Sequence, residues 1–160
     1  MEKDTCIVCC TNKTAILCDS CDQHSCKHCC YFIDEDSFEL FKFLPDSMRG
    51  KAFCPNCYND NVADELEQFQ EALIRAKDVD VYGVEQSSET RLMRRTAKLL
   101  KVQDCDDRKE ALMHLAFSAA RDGFKTIVDV DLKSTKVGKG TYKKLIWSGT
   151  AVPLDPHARR

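Results

Sequence analysis

Apolar positions change their period several times along this chain, and each change marks an element. The run Phe38–Leu44 is short and densely apolar and predicts a short packed helix. From Asn61 a longer pattern begins, with Val62, Leu66, Phe69 and Leu73 separated by four, three and four residues. That spacing predicts an amphipathic helix. Asp64, Glu65, Glu67 and Glu71 come early in it and Arg75 and Lys77 late, which complements the helix dipole. Its apolar stripe fits a connecting helix packed on its own chain. Asp78–Val84 then alternates and reads as a short strand.

Residues 91–102 carry Arg91, Arg94, Arg95, Lys98 and Lys101 without an acid, interleaved with Leu92, Met93, Leu99, Leu100 and Val102. This pattern predicts a basic amphipathic helix, a solvated face in the simplest case, with a contact to an anionic membrane, to nucleic acid or to the acidic N-terminal segment as alternatives. After it, Asp107 followed by Glu110 has the spacing of a helix-capping box. Ala111, Leu112, Leu115, Ala116 and Ala119 supply a buried face, and Gly123 is placed to end that helix. Val128, Val130 and Leu132 alternate with Asp129 and Asp131, as in a strand buried on one face. The turn Gly138-Lys139-Gly140 leads to a second strand at about residues 141–152, so residues 79–153 read as β-α-β-β ending in an antiparallel hairpin. Asp129 and Asp131 are expected to meet Lys143 or neighbouring lysines across the hairpin.

At 160 residues the chain has room for one average domain or two small ones. No apolar run reaches the roughly 20 residues that span a bilayer. The net charge of -2 is unevenly spread. Residues 1–60 hold 6 Lys and Arg against 10 Asp and Glu, whereas residues 61–160 hold 18 against 16. An acidic N-terminal segment is a poor partner for phosphate backbones, so DNA reading by the finger is disfavoured, and nucleic acid is not expected as a partner of the chain.

Cysteine changes the picture most. Eight of the 11 form four Cys-x-x-Cys pairs: Cys6/Cys9, Cys18/Cys21, Cys26/Cys29 and Cys54/Cys57. A pair spaced i, i+3 can bend round one metal, and two pairs complete a tetrahedral thiolate shell. Eight thiols therefore predict two Zn2+ per chain. A disulfide scaffold would suit a secreted domain, but the opening MEKDT runs straight into Cys6 without an apolar stretch. A reducing, cytoplasmic setting is expected. Cys10, Cys30 and Cys105 read as non-ligands, with Cys10 and Cys30, and also His24 and His28, as conceivable substitutes in a shell. A closed four-thiolate shell leaves no open position, so the zinc is read as structural and not catalytic. Gly138-Lys139-Gly140 is too short and wrongly placed for a phosphate loop.

The full spacing, C-x2-C-x8-C-x2-C-x4-C-x2-C-x24-C-x2-C, resembles the cross-brace zinc fingers of the RING, PHD and FYVE families. That resemblance implies that Cys6, Cys9, Cys26 and Cys29 hold one zinc and Cys18, Cys21, Cys54 and Cys57 the other. The ending Phe53-Cys54-Pro55-Asn56-Cys57-Tyr58 is similar to FYVE domains, which bind phosphoinositides through a basic stretch at the third cysteine. Here that stretch is Ala15-Ile16-Leu17-Cys18-Asp19, without a base. Cys6-Ile7-Val8-Cys9 and Pro55 resemble RING ubiquitin ligases, although the histidine of Cys21-Asp22-Gln23-His24-Ser25-Cys26 falls one place later than in their pattern.

The C-terminal part resembles the bacterial YbjQ family over about residues 79–153. The Ala-rich helix, Ile127-Val128-Asp129-Val130-Asp131 and the ending Ser148-Gly149-Thr150-Ala151-Val152 carry the likeness. It implies a small α+β domain that assembles into homo-oligomers. The family is described as heavy-metal-binding, but this part of the chain offers only Cys105, His114 and His157, widely separated.

The whole reads as an α+β chain. A two-zinc cross-brace finger occupies 1–60, a linker helix 61–78, a YbjQ-like domain 79–153 and a tail 154–160. The expected function is a zinc-binding protein-interaction module displayed on a homo-oligomeric base, without catalysis. One alternative is a RING-type ubiquitin ligase. A second is an adaptor on anionic lipid through Arg91, Arg94, Arg95, Lys98 and Lys101.

Overall fold

The computed structural model describes residues 5–11, 16–34, 38–138 and 140–155. The opening residues before Thr5, Ala15, Lys139 and the tail from residue 156, with His157, lie outside these. The chain divides into two compact units, residues 1–70 and 71–160.

The first unit has little regular structure. Two-residue strands β1 (Ile16–Leu17) and β2 (His24–Ser25) pair antiparallel, as do β3 (Tyr31–Phe32) and β4 (Ala52–Phe53). The run from residue 38 forms the single helical turn α1 (Phe38–Phe41). Helix α2 (Pro55–Cys57) continues through a π-helical turn, Tyr58–Val62, into α3 (Ala63–Ala76). Pro55 sits at the first helical position, where its missing N–H costs nothing. Along the expected stripe Val62, Phe69 and Leu73 are buried and Leu66 is half-buried. Leu40, Leu44, Met48 and Phe53 supply most of the remaining apolar interior.

The second unit is a four-stranded sheet with one helix on it. Strand β5 (Asp80–Gly83) lies parallel to β7 (Thr126–Val137). Strand β8 (Lys144–Pro153) pairs antiparallel with β7 and with β6 (Leu100–Cys105), giving the order β5-β7-β8-β6. Helix α4 (Arg108–Arg121) starts as the capping pattern predicts, with Asp107 Oδ1 accepting from the Glu110 N–H at 2.8 Å. The Glu110 carboxylate reaches back to the Asp106 N–H at 2.7 Å, one residue earlier than in a strict capping box. Gly123, at φ +85°, ends the helix. Leu100, Leu115, Ala119, Ile127, Val130 and Ala151 form the core between helix and sheet.

Four expectations are corrected. Residues 91–102 are not a helix: Leu100-Lys101-Val102 has the period of a strand, and β6 makes the unit β-β-α-β-β. The basic side chains before it serve as anchors, Arg94 on Asp155, Arg95 on Asp129 and Lys98 on Asp122. Asp129 meets no lysine of the hairpin but pairs with Arg95, whereas Asp131 does pair with a neighbouring lysine, Lys133, on its own strand and not across the hairpin. The last strand starts at Lys144, later than expected, because Gly140 and Thr141 form a turn and Tyr142 and Lys143 stay outside the strand.

The alternation of β7 is also interrupted. Val128 faces Val152 and Asp131 faces Thr150, so Asp129 and Val130 together oppose Ala151 in a β-bulge. Asp129 takes φ +54° there, a left-handed conformation that aspartate tolerates better than most residues. A second bulge, with Asp104 at φ +58°, sets Gln103 and Asp104 against Ser148.

Candidate metal centre

Each Cys-x-x-Cys pair begins with the same turn. The carbonyls of Cys6, Cys18, Cys26 and Cys54 accept hydrogen bonds from the N–H groups of Cys10, Asp22, Cys30 and Tyr58, at 2.9–3.2 Å. Each accepting carbonyl lies four residues before its donor, which curls the pair so that both sulfurs face one side.

The first two pairs repeat one another closely. Cys10 and Asp22, directly after the second cysteine, take φ 57° and 56°. The N–H groups of Cys6 and Cys18 both donate to the carbonyl five residues on, Thr11 and Gln23, at 3.0 Å. These are extended knuckles. The other two pairs are wound differently. Cys54 caps α2, and its sulfur accepts from the Cys57 N–H at 3.5 Å. Cys26 accepts from the Cys29 N–H as well as from that of Cys30.

One extended knuckle and one helical turn make up each of two sulfur clusters: Cys6, Cys9, Cys26 and Cys29, and Cys18, Cys21, Cys54 and Cys57. Within each cluster the four Sγ atoms lie within 4.8 Å of one another. Cys9 and Cys26 Sγ are 3.6 Å apart and Cys21 and Cys54 Sγ 3.8 Å. Four sulfurs each about 2.3 Å from a central zinc stand about 3.8 Å apart at the corners of a tetrahedron, so the thiols fit that ion. The clusters interleave along the chain, the grouping that the cross-brace resemblance implies. Both show one order of exposure, the first cysteine of each pair buried and its mate open to solvent or partly so. Among the described residues Cys10, Cys30, His24 and His28 belong to neither cluster. Cys30 instead directs its thiol to the Phe53 carbonyl, and Cys105 is buried in β6.

The thiols are electrostatically unequal. The Cys9 N–H above all, with those of Cys26 and Val8, lowers Cys6 to about 6 against the cost of burial. Burial likewise opposes ionisation of Cys18, but the N–H groups of Cys54, Ser20 and Cys21 outweigh it and bring this thiol to about 6. The Cys54 N–H stands 3.3 Å from the Cys18 sulfur. Cys29 and Cys57 are pushed up to about 12, first by the neighbouring Cys26 and Cys21 side chains respectively. Four close sulfurs thus give up their protons with increasing difficulty, and a central divalent cation removes that penalty.

Beside the second cluster, Asp19 ties the Cys18 knuckle to β4, the strand that leads into Cys54. Its N–H donates to the Ala52 carbonyl at 2.8 Å, and its carboxylate accepts from the Ala52 N–H at 2.7 Å and from Lys51 Nζ at 3.1 Å. The spacing of the cysteines carries no trace of this clamp. An acid immediately after the first cysteine of a pair was its only sign. Several apolar side chains stay outside: Ile7 and Val8 within the first knuckle, Leu17 on β1, and Tyr31 and Phe32 on β3. Tyr31 stacks on Tyr58, ring centroids 4.2 Å apart.

Two four-cysteine clusters of this geometry make the N-terminal unit a metal-binding module of the zinc-finger type. No family model, curated protein or solved structure matches the chain. Among the described residues no helix is long and apolar enough to cross a membrane.

Proposed function

We propose that the N-terminal unit is a protein-binding cross-brace finger built on two structural zinc ions, and that a YbjQ-like C-terminal unit carries it in several copies. The observation that supports this most is the pair of interleaved four-cysteine clusters, each closed by protein sulfurs alone. Four thiolates saturate tetrahedral zinc and leave no site for water or substrate. Interleaving makes metal binding and folding one event, because each ion ties segments distant in sequence. Zinc then holds Ile7, Val8, Leu17, Tyr31 and Phe32 on the surface of a unit too small to bury them, as an apolar contact for a partner. Linking several fingers on one oligomer raises their effective concentration, so a weak contact suffices.

Native mass spectrometry of the full chain, purified under reducing conditions, tests the reading. Two zinc ions per chain in a defined multimer are expected. One ion, iron in place of zinc, or a monomer would each remove part of it.

A RING-type ligase is the second reading. It is favoured by Ile7 and Val8, which stand 39% and 50% exposed between the first two ligands. Ubiquitin transfer with a panel of conjugating enzymes separates the two. A pure binding module forms no chains with any of them, whereas chain formation lost on Ile7→Ser would establish the ligase.

A further inference from the structure

The hairpin of β7 and β8 is longer than the body it belongs to. Helix α4 and β5 cover the start of β7, but Lys133, Ser134, Thr135, Lys136 and Val137 are exposed one after another. In a strand, consecutive side chains point to opposite faces, so five in succession mean that neither face is covered. Lys144 and Leu145, opposite Val137 and Lys136, are exposed as well. The end of the hairpin is a free two-stranded ribbon with Tyr142, 92% exposed, between its strands.

Its charge sets it apart. Residues 132–150 contain five lysines and no acid. Residues 71–160 as a whole hold 18 Lys and Arg against 13 Asp and Glu, so without the ribbon this unit would be balanced at 13 against 13. All of its positive excess sits on the arm. Lys133 and Lys144 reach back to Asp131 and Asp106 at the base of the ribbon. Lys136 and Lys143 are exposed and have no acid within ion-pair distance among the described residues.

We infer that this arm binds the phosphate backbone of double-stranded nucleic acid. A two-stranded ribbon fits the major groove of B-form DNA, about 12 Å wide, where lysines on both its faces meet the two flanking backbones. The ribbon carries no Arg, Asn, Gln or acid to read base edges, and its lysines are point charges. Contacts to phosphate position a protein without selecting sequence, so the binding is independent of sequence. The deep, narrow major groove of A-form RNA does not admit the ribbon, so DNA is the preferred duplex. The acidic finger, a poor partner for phosphate, takes no part.

Fluorescence anisotropy of the full, metal-loaded chain with a labelled mixed-sequence DNA duplex of about 20 base pairs tests this. With about four phosphates neutralised, affinity falls about a hundredfold between about 50 and about 200 mM salt. In K136E/K143E affinity falls at least tenfold, and the logarithmic salt slope shrinks by about two. R121E/K125E changes net charge equally at exposed sites at the end of α4 and ahead of β7, at the opposite end of that strand from the ribbon, and leaves binding within about twofold. An RNA duplex of the same sequence binds more weakly. Salt-independent binding, equal losses in both double variants, or capture by phosphatidylserine vesicles without capture by the duplex would overturn the inference. Unchanged melting of each variant confirms that folding is not the cause.

Discussion

Arg95 and Asp129 meet at two points: Nε donates to Oδ2, and Nη2 donates to Oδ1 at 3.0 Å. The same guanidinium donates to the carbonyls of Thr90 and Met93 at 3.1 and 3.3 Å. One side chain thus fastens an irregular segment to the β7 bulge, at the residue whose left-handed backbone creates the bulge. Both partners are about one-third exposed, so solvent weakens the pair without removing it.

Asp129→Asn keeps a residue that tolerates φ > 0 but loses the charge, and should cost about 1–2 kcal/mol in denaturant unfolding. Asp129→Val adds backbone strain and should cost more. The Arg95 pair holds the Asp129 carboxyl below the usual carboxylate range. A depressed folded value stabilises the protein above the unfolded value, about 3.9, and the gain is lost as pH falls through the folded value. The gap between wild type and Asp129→Asn should therefore be full at neutral pH and close in acid. A gap independent of pH would mean that charge is not the cause.

Metal content should follow the clusters residue by residue. Serine at any of Cys6, Cys9, Cys26 or Cys29 should lose one of two zinc ions, and likewise for Cys18, Cys21, Cys54 or Cys57. Cys10→Ser and Cys30→Ser should keep both. Elemental analysis of the purified variants decides this. Chelation of the wild type should abolish the fixed signals of the N-terminal unit and leave the Ile127 and Val128 amides of the second protected from exchange.

Asp19→Ala would leave the Ala52 N–H without its carboxylate acceptor and Lys51 without its ion pair. The cost should be about 1–3 kcal/mol, read as earlier metal loss on titration with a chelator. Asp19→Asn keeps a neutral acceptor for the N–H and should recover part of it. Equal chelator resistance in all three proteins would show that the clamp does not support the second cluster.

In the second unit, Leu115 is fully buried against the sheet, and Leu115→Ala should cost about 2–5 kcal/mol by leaving a cavity. Gly123→Ala meets no atom within 4 Å, so its effect comes from φ +85° alone. A loss of about 1 kcal/mol is expected there. Thermal unfolding followed at the far-ultraviolet helix signal distinguishes the two by size.

Local chemistry was legible in the sequence wherever the partners lie a few residues apart. The four Cys-x-x-Cys turns, the Asp107–Glu110 cap, the stop at Gly123 and the stripe of Val62, Phe69 and Leu73 all depend on contacts within one or two turns of chain. The grouping of the eight thiols came from resemblance to interleaved fingers, because spacing alone does not say which knuckle faces which. Tertiary structure decided the rest. Leu100-Lys101-Val102 becomes a strand only because β8, some 50 residues later, offers an edge to pair with; in the sequence it lies inside a basic run with a helical look. Arg95 and Lys98 look like a solvated face until Asp129 and Asp122 reach them. The exposed ribbon was hidden for the same reason. Periodicity reports which face of an element is apolar, but the distance to which a sheet outruns the helix that covers it is set by packing between segments far apart in the chain.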